Sequence, residues 1–123
     1  MMKKGIKFSD FAAEQGNIDL AKLLLALAEG CKVISHLVNN AGLLDVLGSH
    51  DSTNVQGEEV QKLDDLTNKI LMDYLKASET CAGYVSEENE HLVTLNAGGT
   101  YTVAADPLDG SSNIEVAAPI GTI

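Results

Sequence analysis

Apolar residues recur at three- and four-residue intervals from Leu20 onward, through Leu23, Leu24, Leu27, Cys31, Ile34 and Leu37. That spacing is the stripe of an amphipathic helix. Asn39-Asn40-Ala41-Gly42 predicts its stop, because Asn and Gly tolerate the left-handed conformation at a helix end. Ahead of it, Phe8 to Gln15 predicts a shorter helix, with Ser9 as N-cap and Gly16 ending it. Gly48 to Gly57 is polar and loop-like. Val60, Leu63, Leu66, Ile70, Leu71, Tyr74 and Leu75 then form a second stripe, on a helix that frays near Ser78.

After Ser78 the period changes to two. Ala82 to Ser86 and Leu92 to Leu95 predict short strands, and Asn96-Ala97-Gly98-Gly99 predicts the turn into the next one. Tyr101, Val103 and Ala105 alternate with Thr102 and Ala104, as in a half-buried strand. Helices followed by strands predict an α+β or α/β layer arrangement in which the helices cover a sheet. The run from Ala117 to Ile123 is apolar and strand-like, and since a bare apolar edge invites aggregation it reads as the end of a chain cut short or as one whose partner strands lie elsewhere.

Composition narrows the function classes. The 123 residues carry a formal charge of −10, which argues against a nucleic-acid surface, since phosphates need Lys and Arg to displace their counterions. Aromatic content is 4 % and Trp is absent, so the core must be built from Leu, Ile, Val and Ala. Cys31 and Cys81 predict buried thiols in a reducing compartment, with Cys31 on the apolar stripe. The start, Met1-Met2-Lys3-Lys4-Gly5, lacks the apolar core of a signal peptide, and no apolar run is long enough to span a bilayer. A cytoplasmic protein with no membrane partner is expected. His36, His50 and His91 share no ligand-like spacing and are expected in surface or helix-packing roles. Tyr74 and Tyr84 are expected to pack against the sheet.

The candidate chemistry is acidic. Asp106-Pro107-Leu108-Asp109-Gly110-Ser111-Ser112 places two carboxylates three residues apart at the end of a predicted strand. Gly110, Ser111 and Ser112 add backbone N–H groups and small side chains, the components of an anion nest. Carboxylates beside a phosphate cradle suit magnesium, which favours oxygen ligands and bridges protein carboxylates to substrate phosphate. Ser86-Glu87-Glu88-Asn89-Glu90 ends another predicted strand, where adjacent carboxylates point different ways. Glu58 with Glu59, and Asp64 with Asp65, taken alone look like helix-start acids that complement the macrodipole.

As a series these strings resemble one family. Asn54-Val55-Gln56-Gly57-Glu58, Lys62-Leu63-Asp64, Val85-Ser86-Glu87-Glu88, Asp106-Pro107-Leu108-Asp109-Gly110-Ser111-Ser112-Asn113-Ile114 and Ile120-Gly121-Thr122-Ile123 follow the order and spacing of class I fructose-1,6-bisphosphatases. The match runs from about Leu20 to the last residue and spans roughly the first third of a family member. The resemblance implies the N-terminal part of the α+β sugar-phosphatase fold over residues 1–123, with amphipathic helices packed on the first strands of a mixed sheet and the C-terminal substrate-binding half absent. It implies hydrolysis of the 1-phosphate of fructose 1,6-bisphosphate in gluconeogenesis, with Mg2+ (or Mn2+) as cofactor and a homotetrameric assembly.

By the same resemblance, Glu87, Asp106 and Asp109 are magnesium ligands, with the backbone carbonyl of Leu108. Asp64 and Glu88 orient and deprotonate the attacking water. Glu58 binds an additional metal from a mobile loop. Asp109, Gly110, Ser111 and Ser112 hold the departing phosphate. Family members that bind AMP use a Gly-Glu-Leu-Thr string and a Lys-Tyr pair; here the positions read Ile18-Asp19-Leu20-Ala21 and Thr100-Tyr101. Loss of the hydroxyl and the cation counts against AMP regulation. The rival readings are a sedoheptulose-bisphosphatase or inositol-phosphatase-like enzyme, and a catalytically inactive short chain.

Overall fold

A computed structural model describes residues 5–41, 53–116 and 119–123. Three helices come first: α1 (Phe8–Ala13), α2 (Ile18–Ala41) and α3 (Thr53–Ala77). Strands β1 (Cys81–Ser86), β2 (Val93–Thr94) and β3 (Tyr101–Ala105) follow, then a 3-10 helix over Ser111–Val116. The order and the α+β class match the sequence pattern.

Local chemistry moves several boundaries. Helix α1 starts after Lys7, which makes no side-chain cap, so Ser9 lies inside the helix rather than capping it. Gly16 follows with φ +67, the left-handed conformation that glycine adopts at little cost. Asn17 does cap α2: its Oδ1 accepts the Leu20 N–H at 3.0 Å. Helix α3 begins at Thr53, so residues 53–57 of the expected loop are helical. Gly57 in a helix costs about 1 kcal/mol relative to Ala, which the burial of one face of α3 outweighs. Gly42, residues 48–52 with His50, and residues 117–118 of the expected terminal strand lie outside the described residues.

The sheet order is β2-β1-β3, with β1 antiparallel to β2 and parallel to β3. Leu23, Ile34, Leu71, Leu75, Cys81 and Tyr84 form the buried core, where α2 and α3 meet the sheet. β3 alternates half-buried and exposed, as its sequence alternation predicts. Tyr84 is fully buried on β1, and Tyr74 lies beside Gly30 of α2. A Cβ at Gly30 would sit 3.1 Å from Leu71 Cδ1, so the missing side chain lets the two long helices approach. Two positions depart from expectation. Leu66 turns outward and is exposed, and Cys31 is half-buried, lining a cavity of about 330 Å³ between α2 and Leu108, Ile120 and Thr122. No helix among the described residues is long and apolar enough to cross a membrane.

Candidate metal centre

The register of the parallel pair builds the site. Ser86 sits opposite Ala105, so the next residue of each strand, Glu87 and Asp106, emerges at the same carboxyl end of the sheet. The Glu87 N–H donates to the Ala105 carbonyl at 3.3 Å, carrying the pairing one residue past β1. Ligands of open α/β sheets gather at this end, because the strands there deliver side chains that the loops can aim.

The Asp106–Asp109 loop is held rigidly. Asp106 Oδ1 accepts the Leu108 N–H at 3.2 Å, a turn closed by the aspartate's own side chain. Pro107 is fully buried and Leu108 is 5 % exposed, so the loop is anchored from inside. The C-terminal segment pairs with it: Asp106 N–H donates to the Ile123 carbonyl at 2.8 Å and Asp109 N–H to the Gly121 carbonyl at 2.7 Å. Thr122 Oγ1 donates to the Pro107 carbonyl at 2.8 Å. The apolar run around Ile120 thus has a partner within the described chain, the metal-loop candidate itself. Gly110 has φ +78, and a Cβ there would lie 3.0 Å from the Pro119 carbonyl oxygen, so the turn into the 3-10 helix requires glycine.

Helix α3 supplies the third wall. Asp64 lies eleven residues into α3, not at its start, and is only 9 % exposed. Its Oδ2 accepts the Ser111 hydroxyl at 3.2 Å, joining α3 to the 3-10 helix, while its Oδ1 is buried with no partner among the described residues. Glu88 is half-buried, with its N–H donating to Ser86 Oγ at 3.2 Å. Glu58 is not brought in. It is exposed in the early turns of α3 rather than on a loop, about 9 Å along the axis from Asp64 and roughly 120° around it.

Electrostatics confirm that Asp64, Glu87, Glu88 and Asp106 act on one another. The Asp106 carboxylate, near enough to hydrogen-bond Glu87, pushes the Glu87 carboxyl above its ordinary value. Burial raises Asp64, and the Ser111 hydroxyl only partly offsets this. Burial, then the charge of Asp64, raises Glu88. A carboxyl raised by the fold contributes stability that is complete below its unfolded value and is lost as pH rises through its folded value. The thermal midpoint of the metal-free protein is therefore expected to fall as pH climbs out of the ordinary carboxylate range. Saturating magnesium is expected to flatten that slope. A midpoint that rises over this range in differential scanning calorimetry would contradict the repulsion.

The donors fit a hard divalent cation. They are all oxygens, they repel one another, and one buried oxygen has no partner among the described residues. Among the described residues no three His, Cys, Asp or Glu side chains converge on one point. Magnesium takes one or two protein carboxylates and completes its shell with water and phosphate oxygens, so pairs of carboxylates suit it.

The sequence analysis missed Asn68. It is 8 % exposed on α3, its Oδ1 accepts the Tyr84 hydroxyl at 3.0 Å, and its Nδ2 donates to Asn89 Oδ1 at 3.0 Å. A polar residue four positions after Asp64, inside an apolar stripe, was the available signal.

Comparison with known proteins identifies the family. The family described as Fructose-1-6-bisphosphatase, N-terminal domain, matches residues 2–123. Fructose-1,6-bisphosphatase class 1 of Shewanella oneidensis is 50 % identical over 107 residues, covering 87 % of this chain and 33 % of its own length. The same protein of Shewanella baltica strain OS185 is 49 % identical over 107 residues. The crystal structure of Leishmania major fructose-1,6-bisphosphatase in holo form superposes with a TM-score of 0.80 at 28 % identity, covering 98 % of this chain and 37 % of that one. The chain thus spans about a third of the length of the curated relatives it matches.

Proposed function

This chain belongs to the fructose-1,6-bisphosphatase family, and from that premise we propose that it supplies the metal-binding and phosphate-holding part of a magnesium-dependent sugar bisphosphatase. The reaction is removal of the 1-phosphate of fructose 1,6-bisphosphate, a step of gluconeogenesis in the cytoplasm. Residues 1–123 form the N-terminal part of the catalytic domain, and sugar-reading residues belong to the further length that relatives possess. The observation that carries this reading is the shared strand-end position of Glu87 and Asp106, walled by Asp64 and Glu88.

Glu87, Asp106, Asp109 and the Leu108 carbonyl would hold magnesium, with Mn2+ as a substitute. Bound there, the ion would acidify a water and screen the phosphate's charge. Asp64 and Glu88 would orient that water and take its proton. Asp109, Gly110, Ser111 and Ser112 would hold the phosphate, since the first N–H groups of a helix have no partner within it. Glu58 would join a further metal only after moving toward the strand ends.

Exposed Ile6 just before α1, Phe8 and Phe11 on it and Ile18 at the start of α2 support a homo-oligomer, the tetramer of the family reading. AMP inhibition is not part of the proposal. Thr100 Oγ1 already donates to Asp19 Oδ2 at 3.4 Å, and Ala21 offers no hydroxyl.

Phosphate release from fructose 1,6-bisphosphate, with and without magnesium, tests the proposal against an Asp109→Asn variant. Magnesium-dependent release that the variant loses supports it. Release that is indifferent to magnesium, or equal in the variant, counts against it.

A further inference from the structure

We propose that Tyr84, Asn68 and Asn89 form a positioning chain that fixes the turn presenting Glu87 and Glu88 to the metal. The inference rests on the metal-binding reading above, and not on the identity of the sugar.

The turn from Ser86 to Asn89 has two ends. At the first, Ser86 belongs to β1, its Oγ accepts the Glu88 N–H at 3.2 Å and its carbonyl accepts the Asn89 N–H at 3.1 Å. At the second, Asn89 is tied across the structure to α3, because Asn68 Nδ2 donates to Asn89 Oδ1 at 3.0 Å. Without that bond the turn would keep its ties to β1 and β3 and lose the one to α3.

Tyr84 anchors the Asn68 amide from the core side. Its hydroxyl donates to Asn68 Oδ1 at 3.0 Å from a fully buried position, while the amide nitrogen of Asn68 faces Asn89. If the hydroxyl is lost, the amide has no partner on the core side to hold it against Asn89. The chain carries no formal charge. That matters beside Asp64, Glu87, Glu88 and Asp106, where a further carboxylate would deepen the repulsion and a lysine would compete with the metal. It ends in the buried Nδ2 of Asn89, a donor without a partner among the described residues.

The test is Mn2+ affinity, read from the free-ion electron paramagnetic resonance signal without substrate, for Tyr84→Phe and the uncharged, similarly sized Asn68→Leu. Each is expected to weaken binding about tenfold, as supporting partners of metal ligands do. The double variant is expected to be no weaker than the worse single one, because both break one chain. Ile34→Val, in the same core but outside the chain, controls for general loosening and is expected to leave affinity unchanged. Should the buried variants fail to fold, Asn89→Ala at the half-buried end gives the same reading. Wild-type affinity in the chain variants, an equal loss in Ile34→Val, or no Mn2+ binding by the parent protein would overturn the inference. Mn2+ binding with no hydrolysis of any sugar bisphosphate would instead sink the proposed activity and leave this inference standing.

Discussion

Asp106→Asn is expected to remove magnesium-dependent phosphate release by at least about a hundredfold while raising the thermal midpoint of the metal-free protein. The loss follows from taking a charged ligand out of the centre, where even supporting residues cost about ten- to a hundredfold. The gain follows from the repulsion already present. The charge of Asp106 is the largest cause of the raised Glu87 carboxyl, and it also raises Asp64 and Glu88. Asparagine keeps an Oδ1 to accept the Leu108 N–H, so the loop geometry survives the change. Calorimetry in a chelator, paired with a phosphate-release assay, reads both effects. A midpoint that falls together with activity would mean that Asp106 serves the fold rather than the metal.

Gly99→Ala is expected to cost at least about 3 kcal/mol, lowering the thermal midpoint by roughly 10 °C. A Cβ at Gly99 would lie 2.5 Å from the Ala82 nitrogen and 2.8 Å from both the Ala82 Cα and the Cys81 carbonyl carbon. These are backbone atoms of the central strand, and no side-chain rotation can clear them. The turn is also pinned: Gly99 N–H donates to the Asn96 carbonyl at 3.0 Å, and Asn96 Nδ2 donates to the Cys81 and Lys76 carbonyls. Displacing Gly99 therefore shifts β1 against β3, the register that aligns Glu87 with Asp106. Gly98→Ala next door meets nothing within 4 Å and is expected to stay within about 0.5 kcal/mol of the parent. Equal midpoints for the two variants in thermal circular dichroism would refute the close approach.

The chain's regular elements were legible because their periods are local. The stripe from Leu20 to Leu37 and the alternation from Tyr101 to Ala105 each depend only on residues a few positions apart, and α2 and β3 follow them. End signals were weaker guides. Ser9 has a capping side chain, yet α1 starts at Phe8. Gly57 suggested a loop, and α3 runs through it, because burying Leu63, Leu71 and Leu75 further along the helix outweighs about 1 kcal/mol for one glycine.

The candidate site divides along the same line. The Asp106–Ser112 string announced its chemistry in the sequence, since a turn closed by an aspartate, a proline and a left-handed glycine is written in consecutive residues. By its local pattern Asp64 was one acid among several on a helix, and only the family resemblance singled it out. Its burial beside Ser111, 47 positions away, comes from the docking of α3 on the 3-10 helix. Whether Glu58 stands with the other acids was decided by the axis of α3, which carries it up and around the helix. The pairing of Glu87 with Asp106 rests on a parallel register between strands joined through β2, and the link from Tyr84 to Asn89 on the packing of α3 against β1. Sequence by itself determined which elements form and which side chains are chemically able. Tertiary structure alone decided which of them meet, because closing the chain over such distances is settled by the burial of the whole core and not by any local preference.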